Sequence, residues 1–108
     1  MNRGDIHWVE IPARTPEGRE ISKTRPCAIV SVAALNIARS TVVVVPLTSN
    51  GKAAPPVAIF VPSAGKNAVA VCDQLFAVDK NRVRNKASVL SPADLASLDM
   101  SLRRLLGL

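Results

Sequence analysis

At 108 residues, 48% of them apolar, the chain has the length and material for one core without disulfide or metal staples, and one Trp and two Phe make that core mostly aliphatic. Fourteen Lys and Arg against eight Asp and Glu leave a formal charge of +6, which points to a polyanionic partner: nucleic acid, an acidic protein segment or an anionic surface. No apolar run reaches the length of a membrane-crossing helix, none reads as a basic amphipathic membrane helix, and a single histidine without clustered partners gives no recognisable zinc site.

The opening Met1-Asn2-Arg3-Gly4-Asp5 carries no apolar signal-type stretch, so a cytoplasmic protein is expected. Ile6-His7-Trp8-Val9-Glu10-Ile11 is the first predicted strand, closed by Pro12, with His7 read as a strand residue. Residues 12–24 form a charged polar loop. Residues 27–32 are a second strand, entered through Pro26, because the first position of a strand tolerates a missing donor. Residues 33–39 are a short helix or a loop.

Thr41-Val42-Val43-Val44-Val45 is the strongest strand, since β-branched residues pack well on a pleated surface, and its continuity predicts burial on both faces. Pro46 is expected to end it, and Leu47-Thr48-Ser49-Asn50-Gly51 to turn the chain. Residues 57–61, 68–72 and 75–78 bring the strands to five or six, and Asp79-Lys80 reads as a turn. Cys27 and Cys72 can pair or remain thiols; their apolar runs in a reducing cytoplasm predict two buried free thiols.

The last segment changes period. Ser91 suits an N-cap, Pro92 the first helical position and Asp94 the third, as in a capping box. Leu95, Leu98, Leu102, Leu105 and Leu106 form one apolar stripe, Arg103 and Arg104 complement the last turn, and Gly107 is a stop. The expected fold is mainly β with minor α, one domain over residues 1–108: a small barrel closed by a C-terminal α-helix.

Four motifs stand in order: Arg3-Gly4-Asp5-Ile6-His7-Trp8-Val9; Gly18-Arg19-Glu20 leading to Lys23-Thr24-Arg25-Pro26; Val44-Val45-Pro46-Leu47-Thr48-Ser49; and Cys72-Asp73-Gln74 with Val78-Asp79-Lys80. With the ending Leu105-Leu106-Gly107-Leu108, the whole chain resembles the MazF/PemK family of toxin–antitoxin endoribonucleases. The resemblance implies an SH3-like barrel, a homodimer, and sequence-selective cleavage of single-stranded RNA. It also implies a cognate antitoxin whose acidic and apolar C-terminal tail lies over the RNA site. Arg25 and Thr48 match the family's catalytic arginine and threonine, and Glu20 matches a glutamate five residues before that arginine, catalytic in some members. Other members use an arginine before the Cys-Asp-Gln motif, that motif's aspartate and a histidine in the first loop. Here Asp73 is kept, but Val71 and Arg19 stand at the other two positions, so this second set is not expected to operate.

The chemistry suits such residues. RNA carries its own nucleophile, the 2′-hydroxyl, so neither metal nor cofactor is required. Arg25 offers a planar fork to two phosphate oxygens, and Pro26 after it biases its backbone toward an extended form. Thr48 can hold a phosphate oxygen or the 2′-hydroxyl, and Glu20 is the candidate base. Expected substrate contacts come from Arg19, Lys23, Ser49, Asn50, Lys52, Asp73 and Gln74, with Arg14 and Lys66 adding phosphate contacts. Aromatic platforms for bases are almost lacking, so base identity is assigned to the loops at 12–24, 49–56 and 63–67. Two other readings stand beside this one: a non-enzymatic toxin of the same barrel type acting on DNA gyrase, which does not need the Arg25–Thr48 pair, and a basic barrel that only binds nucleic acid or protein.

Overall fold

The computed structural model describes residues 1–11 and 23–108; the expectations placed on Arg14, Arg19 and Glu20 lie outside the described residues. Among the described residues there are seven strands: β1 (Asp5–Ile11), β2 (Lys23–Ile29), β3 (Thr41–Thr48), β4 (Ala58–Phe60), β5 (Val69–Val71), β6 (Phe76–Asp79) and β7 (Val83–Val89). Helix α1 (Ala33–Ala38) joins β2 to β3, and helix α2 (Pro92–Leu106) ends the chain. The strands run in the order β4-β5-β3-β2-β1-β7, with β6 also on β3. Every pairing is antiparallel. The mainly β class with a C-terminal helix is therefore as expected, although the ladders among the described residues do not join β4 to β7, so the hydrogen-bonded sheet stays open.

Strand β3 shows why the valine run reads as it does. Successive side chains of a strand point to opposite faces. Val45 and Leu47, with Ala28 of β2, enter a large cluster that includes Ile6, Ile59, Val61, Ala70 and Leu98. Val42 and Val44, with Cys27 and Ile29 of β2, enter a smaller one with Val9 and Val78. Both faces are buried, as the sequence predicts. The two cysteines lie in different clusters and are free; burial pushes their thiols up, Cys27 to about 12 and Cys72 to about 11, so both stay protonated and unreactive at neutral pH.

Pro46 does not end β3, which runs on to Thr48. The Val30 N–H donates to Val43 O (2.9 Å), so the odd-numbered residues of β3 turn their backbone groups toward β2 and Pro46 turns its nitrogen to the other edge. On that edge β6 pairs with Thr41 to Val44 and β5 only from Leu47 onward. The missing N–H falls in the gap between two partners, where no ladder bond is lost.

Pro26 likewise lies inside β2, which starts at Lys23 rather than at Cys27. The Gly4 N–H donates to Ile29 O (2.8 Å), so odd positions of β2 face β1 and Pro26 faces β3. The β2–β3 ladder begins at Cys27 and covers three residue pairs. Pro26 has no donor to carry it further, so the two strands part beyond this point.

The seventh strand, β7, is absent from the sequence reading. Its burial pattern explains this: six of its seven residues are exposed, leaving no apolar period to detect. It is held instead by its partner β1. Arg82 Nη1 and Arg84 Nη2 reach the Glu10 carboxylate (3.3 and 2.8 Å), Lys86 Nζ lies 3.4 Å from Asp5, and His7 Nδ1 donates to Arg84 O (3.0 Å). His7 is a strand residue with a structural bond, as expected.

Helix α2 begins at Ser91, whose hydroxyl accepts the Asp94 N–H (3.1 Å), and stops at Gly107 in the left-handed conformation (φ 73°). The capping box closes by a detour. The Ser91 N–H donates to Ser63 Oγ (3.0 Å), Ser63 N–H donates to Asp94 Oδ2 (2.8 Å), and the Ser63 hydroxyl also donates to that carboxylate. Leu98 is fully buried, with Leu95, Leu102 and Leu105 packed against the large cluster. Leu106, though on the same stripe, is exposed. Ser63→Ala removes the shared hydroxyl and is expected to cost about 1–2 kcal/mol, read as a lower midpoint in urea unfolding.

Burial alone would raise the Asp5 pKa, but the Asn2 N–H (2.9 Å to Oδ2) and Lys86 outweigh it and hold the carboxyl below the usual carboxylate range. A carboxylate whose folded pKa lies below its unfolded value stabilises the fold above the unfolded pKa, and that contribution fades as pH falls through the folded one. Asp5→Asn should therefore lower stability at pH 7 by roughly 1 kcal/mol, and the gap to wild type should close below about pH 4. Urea melts across that range check the sign.

Candidate active site

Where β2 and β3 part, two adjoining cavities open. One, of about 540 Å³, is lined by Trp8, Lys23, Thr24, Arg25, Pro26, Leu47, Thr48 and Ser49. Strand alternation sets its character. Arg25 continues the face that carries Cys27, and Thr48 the face that carries Val44, so a cation and a hydroxyl arrive from two neighbouring strands on one side. Pro26 and Leu47 belong to the other face.

Lys23 and Arg25 are exposed. Among the described residues the ion pairs tie up Arg3 with Asp99, Arg82 and Arg84 with Glu10, and Lys86 with Asp5. None of these carboxylates reaches Lys23 or Arg25, so two cations outside those ion pairs border this cavity. The Thr48 side chain is held by the turn that follows it: Asn50 N–H donates to Thr48 Oγ1 (3.4 Å), which engages one lone pair and leaves the hydroxyl proton to be donated outward. Gly51 completes the turn at close range. A Cβ there would lie 2.8 Å from Thr48 Cγ2 and 3.1 Å from Val69 Cβ, so only glycine lets the backbone pass.

The second cavity, of about 490 Å³, shares Trp8, Pro26, Leu47, Thr48 and Ser49 with the first, and adds Asn50 and the loop from Ala64 to Ala68. Of the residues singled out from sequence, Arg25, Thr48, Lys23 and Ser49 thus meet in one place, with Asn50 next door. Lys52 is exposed and lines neither cavity. Asp73 and Gln74 lie in a 3-10 turn (Cys72–Gln74) after β5, at the end opposite Val69, which is the residue paired with Thr48. They are exposed and line neither cavity. Arg19 and Glu20 are outside the described residues.

Trp8 is the residue that sequence reasoning missed. It lies opposite Pro26 in the β1–β2 register, is 42% exposed, and borders both cavities. Its position in the Ile6–Ile11 strand was legible, but its place beside Arg25 depends on a strand register that no local pattern prints.

Residues 2–106 match the model of the PemK-like, MazF-like toxins of type II toxin–antitoxin systems. The chain belongs to this family. Its fold recurs in solved structures of low sequence identity. An endoribonuclease in complex with its cognate antitoxin, from a mycobacterial species, superposes with a TM-score of 0.82 at 23% identity, covering 100% of this chain and 96% of that one. A MazE–MazF complex from Deinococcus radiodurans gives 0.83 at 24%, covering 100% and 96%. The Mycobacterium tuberculosis toxin MazF-mt6 gives 0.75 at 16%, covering 96% and 97%. As a PemK-like, MazF-like toxin the chain carries Arg25 and Thr48, the two positions its resemblance marks as catalytic, in a single cavity.

Gly51→Ala forces Thr48 or Val69 to shift and is expected to destabilise the fold by about 1–3 kcal/mol. The Thr48 methyl and Asn50 amide resonances should move with it. Unchanged stability and unchanged resonances would show that the turn yields without disturbing Thr48.

Proposed function

We propose that this chain is an endoribonuclease toxin that cleaves single-stranded RNA at the Arg25–Thr48 cavity. The observation that carries the reading is the meeting of those two side chains, with Lys23 beside them, at the point where β2 and β3 separate. The guanidinium of Arg25 would engage the non-bridging oxygens of the scissile phosphate in a two-pronged contact and stabilise the charge that grows on them. Thr48 would donate its hydroxyl proton to the same phosphate. Glu20, assigned by its position five residues before Arg25, would accept the proton of the 2′-hydroxyl. The 2′ oxygen then bonds to phosphorus while the bond from phosphorus to the 5′ oxygen breaks, and the leaving oxygen takes a proton from water. The products are a 2′,3′-cyclic phosphate and a 5′-hydroxyl end. The nucleophile belongs to the substrate, so the step uses no metal and no cofactor.

The reading includes a cytoplasmic homodimer and a cognate antitoxin with an acidic and apolar C-terminal tail. The formal charge of +6 and the apolar walls beside Arg25 support such a tail.

Purified protein incubated with single-stranded RNA in EDTA should give discrete fragments with 5′-hydroxyl and cyclic phosphate ends. Arg25→Ala and Thr48→Val should each slow cleavage by about 100-fold or more, and Glu20→Gln by about 10²- to 10⁴-fold. Intact RNA, or cleavage that survives Arg25→Ala unchanged, overturns the reading, and trapped gyrase–DNA complexes alongside intact RNA would replace it with gyrase poisoning.

A further inference from the structure

We propose that the cavity beyond Trp8 is a base compartment: one nucleobase flanking the cleaved bond stacks on the Trp8 indole, and its polar edge is read by the side-chain amides of Asn67 and Asn50. The proposal rests on the RNA-cleaving reading and assigns that site its specificity-determining residues.

Three observations lead to it. The cavity is continuous with the Arg25 compartment through Trp8, Pro26 and Thr48, so a nucleotide whose phosphate lies on Arg25 has its base at the entrance. Its chemistry is that of a flat apolar ring with a polar rim: Ile6, Leu47 and Ala68 supply aliphatic walls, while Asn50 and Asn67 border the space. An amide side chain presents a donor and an acceptor side by side, which matches the hydrogen-bonding edge of a base. Trp8 leaves 42% of its surface exposed where it borders both compartments, so its ring is accessible for stacking.

A peptide side chain could fill an apolar hole, but the distribution of charge favours a nucleotide strand. Lys23 and Arg25 line the first cavity and Lys66 lines the second, so each of the two adjoining compartments has a cation in its wall. A strand carries a phosphate on either side of each base and needs both. The composition leaves the chain almost no aromatic platforms, and the proposal needs only one, set beside the phosphate site.

The chain has a single tryptophan, so its intrinsic emission reports on Trp8 alone. Four homopolymeric 2′-deoxyoligonucleotides, which lack the attacking hydroxyl, are titrated against the full chain, and an acidic, leucine-rich peptide serves as the competing probe. Saturable quenching that depends on base identity is expected, and it should persist, at weaker affinity, in Arg25→Ala. In cleavage assays on RNAs varied at the positions flanking the cut, Trp8→Leu should raise KM by about tenfold or more, the worth of one base stacked on an aromatic ring, and relax the preference at one position. Trp8→Phe should restore the KM, and Asn67→Ala should change the preferred base. Circular dichroism shows whether Trp8→Leu folds; if it does not, Trp8→Phe and Asn67→Ala carry the test.

Wild-type cleavage with an identical KM and base preference in the folded Trp8 and Asn67 variants overturns the compartment and leaves the endoribonuclease standing. Quenching by deoxyoligonucleotides from a wild-type chain that cuts no RNA overturns the endoribonuclease and keeps the compartment. Quenching by the peptide and by no oligonucleotide makes the cavity a protein-docking seat and overturns the proposal.

Discussion

A β-strand has two edges on which to satisfy its backbone groups, and β3 serves three partners with them. One edge pairs with β2; the other is divided between β6 along Thr41 to Val44 and β5 from Leu47. Because both faces of β3 are also buried, every other element is placed by reference to this strand. The two prolines make the division workable. Pro46 sits where one partner has ended and the next has not begun, and Pro26 stops the β2–β3 ladder three pairs from Ile29. The missing N–H of Pro46 costs the sheet no ladder bond, and that of Pro26 marks where the cleft opens in which Arg25 and Thr48 meet.

The site therefore inherits its two halves from strand geometry. Residues continuing the face of the small cluster bring charge and hydroxyl, and residues continuing the face of the large cluster bring apolar wall. The small cluster packs no residue of α2 against it, whereas the large one is closed by Leu95, Leu98, Leu102 and Leu105. The proposed phosphate chemistry and base stacking would use these contrasting surfaces side by side, and a strand end supplies both within a residue of each other.

Much of this was legible in the residues. The valine run announced a strand buried on both faces, and Ser91, Pro92 and Gly107 announced the ends of α2, because those signals are local. The family order of Arg25-Pro26 and Leu47-Thr48 marked the pair that the fold brings together. Three things were not legible. Strand β7 has too few buried side chains to carry a period, and it exists because β1 pairs with it. The prolines read as strand ends, since which edge a proline nitrogen faces is a property of the ladder. Trp8 read as one more strand residue, since its neighbourhood is set by register across β1, β2 and β3. Each miss involves information that arises only when strands pair.

The hydrogen bonds that Ser63 donates to Asp94 and accepts from Ser91 belong to the helix cap, but they also moor the start of the segment that ends at Ala68 and borders the cavity beyond Trp8. Its far end is held by the Val61 N–H donated to Ala68 O (3.0 Å). Between these two moorings Gly65 holds the turn, its N–H donating to Pro62 O (3.1 Å) and its carbonyl accepting the Ala68 N–H (3.0 Å), while Lys66 and Asn67 carry no such bond. The wall can thus exchange the side chains at 66 and 67 while its attachments stay as they are, so the surface facing the cavity can change without the scaffold having to follow.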